Sequence, residues 1–315
     1  MTTLAAAGVY KIQAQERIVF GEPAAEVVVA EAQRLGVQRV FLISSASLAR
    51  LADGPLQQVQ CALGDKCVGA FTTMRAHSPR EDVIAAANGA RAARADLLVA
   101  VGGGSSIDGT KAVLACLWHG LDTPDAMAPF LAEGTAGRPI EAPADAIRML
   151  SVSTTLSAAD FTSRAGVTDT ATKAKQGFGH SLLVPQVAVL DPRATLDTPM
   201  HLLLSTGIRA VDHAVESHCA PRSHVVSSMH ALEGLSLLGR ALPAIRRDPQ
   251  ALEPRNEAQL GMWQAMWGAS TGGGTGASHG IGYALGASFD IAHGDTSCVM
   301  LAPVLRHNEP VNAER

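Results

Sequence analysis

The chain has little of several things. Aromatic residues are 4 % of its 315 residues and charged residues 17 %, and the two signs nearly cancel, 25 Lys plus Arg against 29 Asp plus Glu. A near-neutral, scattered charge excludes general affinity for nucleic acid, and few aromatics argue against an aromatic-rich binding surface. The five cysteines, Cys61, Cys67, Cys116, Cys219 and Cys298, form no C-x-x-C pair or other zinc spacing. Their odd number fits unpaired thiols in a reducing compartment, and a cytoplasmic protein is expected. No apolar run approaches the ~20 residues of a membrane span, and the N-terminus lacks the basic start and apolar block of an export signal. Neither a nucleic-acid nor a membrane partner is expected.

What is present is apolar side chain and glycine: 47 % hydrophobic residues and 30 glycines. The length fits two domains of ordinary size. In the first half, β-branched runs alternate with Ala-rich helical stretches. A helix from about Ala24 to Leu35 is closed by Gly36, strands are predicted at 39–44, 96–101, 147–152 and 187–190, and a helix at 81–95. Strand, helix, strand in this rhythm means a parallel sheet. Residues 120–145, rich in Pro, Gly and Asp, read as a long connection. From Met200 to Arg247 and from Leu252 to Trp267 the periodicity is helical, so the boundary is placed near 193–200.

The strongest local signal is Val101-Gly102-Gly103-Gly104-Ser105-Ser106-Ile107-Asp108, a strand running into three glycines and then a helix starting near Ser105. Glycines let a backbone approach a pyrophosphate, and free N–H groups at a helix start, with the positive end of its dipole, attract phosphate. The bland alternative is a Gly-rich turn with a Ser cap. A second string, Gly272 to Ala277, fits G-x-G-x-x-A but follows a helical segment, and is discounted as a dinucleotide fingerprint. Thr154, Thr155 and Ser157 follow the strand at 147–152, at the end of a sheet where ligands bind.

A helix is predicted over Ser205 to Glu216, with Ser205 or Thr206 as its cap. Arg209 and His213 then share one face, while Asp212 and Glu216 share a neighbouring one. A lone helical His is more often structural. His213 has company in His279 and His293, and three imidazoles can make a metal site when a carboxylate stands beside them. The helical position that would supply it is Arg209.

Together these segments resemble the iron-containing alcohol dehydrogenase superfamily, and within it the maleylacetate reductase branch. The resemblance rests on GGGSSIDGTK at 102–111, TTLSAADFTSRAGVTD at 154–169, TGIRAVDHAVE at 206–216, SHGIGYALG at 278–286 and AHGDTSCVMLAPVLRHN at 292–308, in the family's order and spacing. It implies a dehydroquinate synthase-like fold: an α/β nucleotide-binding domain with a parallel sheet over 1–195, an all-α catalytic domain over 196–315, and hydride transfer in the cleft between them. It places Gly102, Gly103, Gly104, Ser105 and Asp108 in the diphosphate turn, Thr154, Thr155 and Ser157 in a second cofactor loop, and Lys175 at the cofactor ribose. Ser45 stands where many members carry an Asp that would repel a 2′-phosphate, so both NADH and NADPH stay open.

In metal-dependent members an Asp and a His four residues apart, with two later histidines, hold the metal. The matching positions here are Arg209, His213, His279 and His293, and the additional His of many members is Tyr283. A guanidinium cannot coordinate a cation, so no catalytic metal is expected. The resemblance implies reduction of the enone of maleylacetate, a small anionic substrate, to 3-oxoadipate in aromatic degradation. Arg209 would hold a carboxylate or oxyanion, and His213, His279, His293 or Tyr283 would supply the proton. Three readings compete: an iron- or zinc-dependent alcohol dehydrogenase, a dehydroquinate-synthase-like lyase, and a nucleotide-binding protein without catalysis. A homodimer is expected, as dimers are common in the superfamily. The resemblance stops with the chain, where members normally continue through further helices. The helical domain is therefore expected to be incomplete, with apolar faces at 200–270 partly uncovered and marginal stability as a result.

Overall fold

Short runs of branched side chains set the frame. In a computed structural model that describes residues 9–10, 12–130, 137–289 and 291–313, the chain forms β1 (Arg17–Phe20), α1 (Ala24–Arg34), β2 (Val40–Ile43), α2 (Ala46–Ala49), α3 (Pro55–Leu63), β3 (Cys67–Phe71), α4 (Arg80–Ala92), β4 (Leu97–Gly102), α5 (Gly104–His119), β5 (Arg148–Ser153), β6 (Arg164–Asp169), β7 (Ala174–Gly179) and β8 (Val187–Leu190). Helices α6 (Met200–Cys219), α7 (Val225–Arg247), α8 (Leu252–Gly268), α9 (Ala277–Phe289) and α10 (His293–Asn312) follow. Of the connection read over 120–145, residues 125–130 form a 3₁₀ segment and 131–136 lie outside the described residues. None of the described helices is long and apolar enough to cross a membrane.

Contacts divide the chain into two compact units. One holds Gln13–Thr154 and Thr162–Asp197; the other holds Thr155–Phe161, Thr198 onward, and the described residues up to Ile12.

In the first unit six strands form one parallel sheet in the order β1-β8-β5-β4-β2-β3. β2, β4 and β8 are buried along their whole length, as expected of a sheet covered on both faces. Val40, Leu42, Val99 and Val101 join a core with Val28 of α1 and Val59 of α3. Phe41, of opposite pleat, packs instead against Gly89 of α4, where an added Cβ would come within 3.1 Å of its ring. The chain moves outward from β2 to β3, returns to β4 on the other flank of β2, and then moves outward to β5 and β8. The carboxyl ends of β2 and β4 therefore flank the topological switch point, where open α/β sheets bind ligands. Gly36, at φ 72°, ends α1 as its position predicts. The edge strands β1 and β3 and the β6–β7 hairpin were not legible in the pattern.

In the second unit α7 and α8 cross closely through small residues. A Cβ at Gly234 would stand 2.7 Å from the Ala265 nitrogen, and one at Gly261 2.9 Å from Leu238. Val225, Val226, Met229 and Leu232 stand exposed on α7. Helix α6 begins at Met200, with Pro199 before it, and not at Ser205 or Thr206. Both hydroxyls lie inside the helix and donate back to the Leu202 carbonyl, a local bond that Ser and Thr make in helices as readily as caps.

Candidate active site

In the α/β unit, β4 ends at Gly102 and α5 starts at Gly104, one residue before the predicted start. Gly102 has φ 154°, and a Cβ there would lie 2.6 Å from Ser106 Oγ, so a side chain is excluded. Thr154 follows β5 and donates its N–H to the Gly102 carbonyl at 3.1 Å, so these two strand ends are tied together. Ser45 lies just beyond β2, its Oγ 2.8 Å from that of Ser47. The turn is braced by His77 and Ser78, consecutive residues in the left-handed region at φ 62° and 50°. The His77 N–H donates to Ser105 Oγ at 3.0 Å and Ser78 Oγ to the Ser105 carbonyl at 2.8 Å. The two bonds to Ser105 hold this pair of non-glycine residues in a strained conformation beside the turn. Glycines, an α5 N-terminus and the switch point fit a phosphate group.

Asp108 differs from the expectation that it joins the diphosphate turn. Its Oδ1 accepts from Lys111 Nζ at 3.1 Å and its Oδ2 from the Gly166 N–H at 3.1 Å, so the carboxylate ties α5 to the β6–β7 hairpin. Lys111, fully buried, also donates to Thr162 Oγ1 and the Arg164 carbonyl. Lys175, on β7, runs across Gly166, where a Cβ would meet its Cε at 2.5 Å. The expected second loop divides: Thr154 belongs to the α/β unit, whereas Thr155 and Ser157 belong to the helical one. There Thr155 Oγ1 and Ser157 Oγ are buried without a hydrogen-bond partner among the described residues, and the Leu156 N–H donates to Thr206 Oγ1 at 3.1 Å.

The helical unit brings Arg209, His213, His279, Tyr283 and His293 together. Arg209 and His213 lie one turn apart on α6 and both are buried. The Arg209 guanidinium donates to Ser297 Oγ at 3.0 Å and stands 5.6 Å from the Tyr283 ring centre. Gly282 makes room, since a Cβ there would press on Thr296 at 2.8 Å and approach Arg209 at 3.7 Å. His213 and His279 have ring centres 4.6 Å apart with their planes tilted by 35°, and Tyr283 meets His293 edge-on at 5.7 Å. Tyr283 is half exposed and His293 partly buried, whereas Arg209, His213 and His279 are buried.

Ser278 and Ser297 were not singled out from sequence, and Asp212 and Glu216 were read there only as a neighbouring face of the helix. Ser278 Oγ and Ser297 Oγ both donate to Asp212 Oδ2, at 2.8 and 2.7 Å. Glu216 accepts from His279 Nδ1 at 2.7 Å and from the Gly276 and Ser278 N–H groups at 2.7 and 2.6 Å. The signal was their place on α6, since Asp212 and Glu216 are adjacent to the Arg209 and His213 face. The discounted glycine string proves to be packing: a Cβ at Gly273 would collide with the Ser217 backbone, and one at Gly276 would stand 3.0 Å from the Glu216 carboxylate.

Burial pushes His213 well below the usual imidazole range, and His279 and Arg209 add to the shift. Burial also lowers Arg209, opposed by Tyr283, Asp212 and Glu216. In Glu216 burial raises the carboxyl, but the bonds from His279, Gly276 and Ser278 outweigh it and hold it below its ordinary value.

The cluster does not fit the family metal. A guanidinium occupies the place of the carboxylate ligand, and it offers only donors. Asp212, Glu216 and His279 do place one ligand atom each within 4.8 Å of one another. These atoms already sit in a hydrogen-bond network, however: backbone N–H and serine O–H groups point at the carboxylates, and His279 Nδ1 is directed at Glu216.

A parallel α/β sheet with a phosphate-type turn at its switch point, and a helical unit carrying a buried Arg and His cluster, define an oxidoreductase of the two-part dehydrogenase class. The chain belongs to the iron-containing alcohol dehydrogenase family: the model "Iron-containing alcohol dehydrogenase" matches residues 15–192 and "Fe-containing alcohol dehydrogenase family, C-terminal" matches 203–315. It is 30 % identical over 294 residues to a maleylacetate reductase of Sphingobium indicum, covering 93 % of this chain and 73 % of that protein. It is 32 % identical to dehydrogenase FUM7 of Gibberella moniliformis, covering 92 % and 72 %. The crystal structure of maleylacetate reductase from Agrobacterium tumefaciens matches with a TM-score of 0.80 at 26 % identity, covering 97 % of this chain and 77 % of that one.

Proposed function

We propose that the chain is a nicotinamide-dependent reductase of a carboxylate-bearing enone of the maleylacetate type, yielding 3-oxoadipate, and that it works without a catalytic metal. The observation that carries this reading is the buried Arg209 guanidinium in the position of the metal's carboxylate ligand. A fixed cation there binds a substrate carboxylate through paired hydrogen bonds, or stabilises the oxyanion that a metal would otherwise polarise. The similarity to maleylacetate reductases supports the same substrate class.

The cofactor supplies hydride when bound. The α5 N-terminus with Gly102, Gly103, Gly104 and Ser105 would hold its diphosphate, and Lys175 its ribose. Ser45 presents no acid to a 2′-phosphate, so the turn accepts NADH and NADPH alike. Arg209 orients the substrate anion and takes up charge as it develops, while a buried imidazole returns a proton to carbon.

The test follows NADH and NADPH oxidation with maleylacetate and a panel of simple aldehydes, with metal content measured on the same sample. Oxidation with maleylacetate in metal-free protein is expected. Stoichiometric iron or zinc with turnover of aldehydes, abolished by a chelator, would overturn the reading.

A further inference from the structure

Two of the cofactor contacts read above come from separate elements of the α/β unit, Ser105 from the start of α5 and Lys175 from β7. One elbow of two residues, His77 and Ser78, is bonded to the surroundings of both. On one side the His77 N–H donates to Ser105 Oγ at 3.0 Å and Ser78 Oγ to the Ser105 carbonyl at 2.8 Å. On the other, Thr168 Oγ1 donates to the His77 carbonyl at 3.0 Å and the Thr168 N–H to the Ser78 carbonyl at 3.2 Å. Thr168 is the residue paired with Lys175 across the β6–β7 hairpin. Four hydrogen bonds of the elbow therefore join the phosphate-type turn to the strand pair that carries Lys175.

The elbow is held from several directions. Ser78 is fully buried, and its own N–H donates back to the Arg75 carbonyl at 3.3 Å. Arg80 Nη1 stands 3.6 Å from Asp169 Oδ2 and Thr170 Oγ1 donates to Glu81 at 2.6 Å, so the end of the hairpin is fastened to the start of α4 as well. Consecutive non-glycine residues at φ 62° and 50° cost conformational energy, which these bonds offset. The bond at Ser105 also sets what its hydroxyl does. A hydroxyl has one proton and two lone pairs; the His77 N–H occupies a lone pair, and the proton has no acceptor among the described residues. That proton is left for an incoming phosphate oxygen.

We propose that Ser78 is a positioning residue for the nicotinamide cofactor: its hydroxyl, with the His77 backbone, holds Ser105 and the Thr168–Lys175 pair at one spacing, so that a dinucleotide meets its diphosphate and ribose contacts together. This rests on the cofactor reading above. A ligand that spans two preset contacts loses less freedom on binding than one whose contacts must be gathered at that moment. Loosening the spacing therefore weakens a ligand that reaches both and spares one that touches the turn alone.

The experiment is a fluorescence titration of the 315-residue chain with whichever of NADH and NADPH binds more tightly, and with inorganic pyrophosphate, which has no ribose, as competitor. Ser78→Ala should raise the cofactor Kd about tenfold and that of pyrophosphate less than about threefold. Ser78→Gly also lacks the hydroxyl but is at ease in the left-handed region, so it should melt higher than Ser78→Ala and show the same rise in cofactor Kd. An unchanged cofactor Kd, equal weakening of both ligands, or Kd values that follow the melting temperatures overturns the proposal. So does an unsubstituted chain that binds no cofactor, or whose cofactor pyrophosphate does not displace. If Ser78→Ala fails to fold, Ser78→Gly decides through the two Kd values. A failure of the reductase reading shows separately, as this pattern of binding with no cofactor oxidation by any enone dicarboxylate.

Discussion

Arg209 and Asp212 are joined through a single hydroxyl: the guanidinium donates to Ser297 Oγ at 3.0 Å, and the same oxygen donates to Asp212 at 2.7 Å. Opposite charges three residues apart on one helix are thus linked by a residue 85 positions away, which fixes α10 against α6.

Ser297→Ala should therefore loosen both groups at once. Asp212 would keep only the Ser278 bond, and Arg209 would lose its hydroxyl acceptor inside a buried cluster. The expected loss is about 1–3 kcal/mol, checked by urea unfolding of the variant against the unsubstituted chain. Ser297→Thr, which keeps the hydroxyl, should recover part of it.

Arg209→Ala should remove at least about 2 kcal/mol of substrate stabilisation, roughly 30-fold in kcat/KM, with cofactor affinity intact. Arg209→Asp should do something different. It returns a carboxylate one turn before His213, and the content of bound iron or zinc should rise above that of the unsubstituted chain when both are measured.

Acid should destabilise the helical unit, and the sign follows from His213. Its folded-state pKa is depressed, so the unfolded chain binds a proton that the folded one refuses. Nothing is lost above the ordinary imidazole pKa of about 6.5; below it stability falls with every step in pH until the folded-state value is reached. Glu216, also depressed, adds a second loss below the ordinary carboxylate range. Melting temperatures from pH 8 to pH 5 should drop, and His213→Gln should flatten the upper part of the decline.

Asp108→Ala should act through stability and hairpin order. Lys111 is fully buried and pairs with Asp108 at 3.1 Å, so removal takes a carboxylate from a buried ammonium. A loss of about 3 kcal/mol is expected, with faster amide exchange at Gly166, whose N–H the carboxylate accepts. Unchanged exchange at Gly166 would show that the hairpin does not depend on this link.

The parts of the molecule legible in the sequence share one property: their signal is local. Runs such as Val40–Ile43 and Leu97–Gly102 announce buried parallel strands, and three glycines before Ser105 announce a turn that admits no side chain. The histidines could be grouped because their motifs are short and familiar in order. Ser278 and Ser297 could not be found this way, because a serine becomes part of a site only through what folds against it, here Asp212. The same holds for Asp108, which sits in a phosphate-type motif yet faces a hairpin almost 60 residues on. The start of α6 was misplaced because Ser205 and Thr206 satisfy a cap pattern equally well from inside a helix. The edge strand β1 carries only Arg17-Ile18-Val19-Phe20, too short for its alternation to stand out.

Residues 209, 212, 213 and 216 occupy two turns of α6, so the site is a matter of angular phase as much as of composition. Each residue turns a helix by about 100°. One residue inserted into the first turns of α6, at a place with no chemistry of its own, would rotate Arg209, Asp212, His213 and Glu216 together out of register with Ser278, His279 and Ser297. A residue inserted in the bend after Cys219 would leave that phase untouched. In this helix chain length is therefore as constrained as the identities of the four side chains, and an alteration of length should disable the site without removing any of its members.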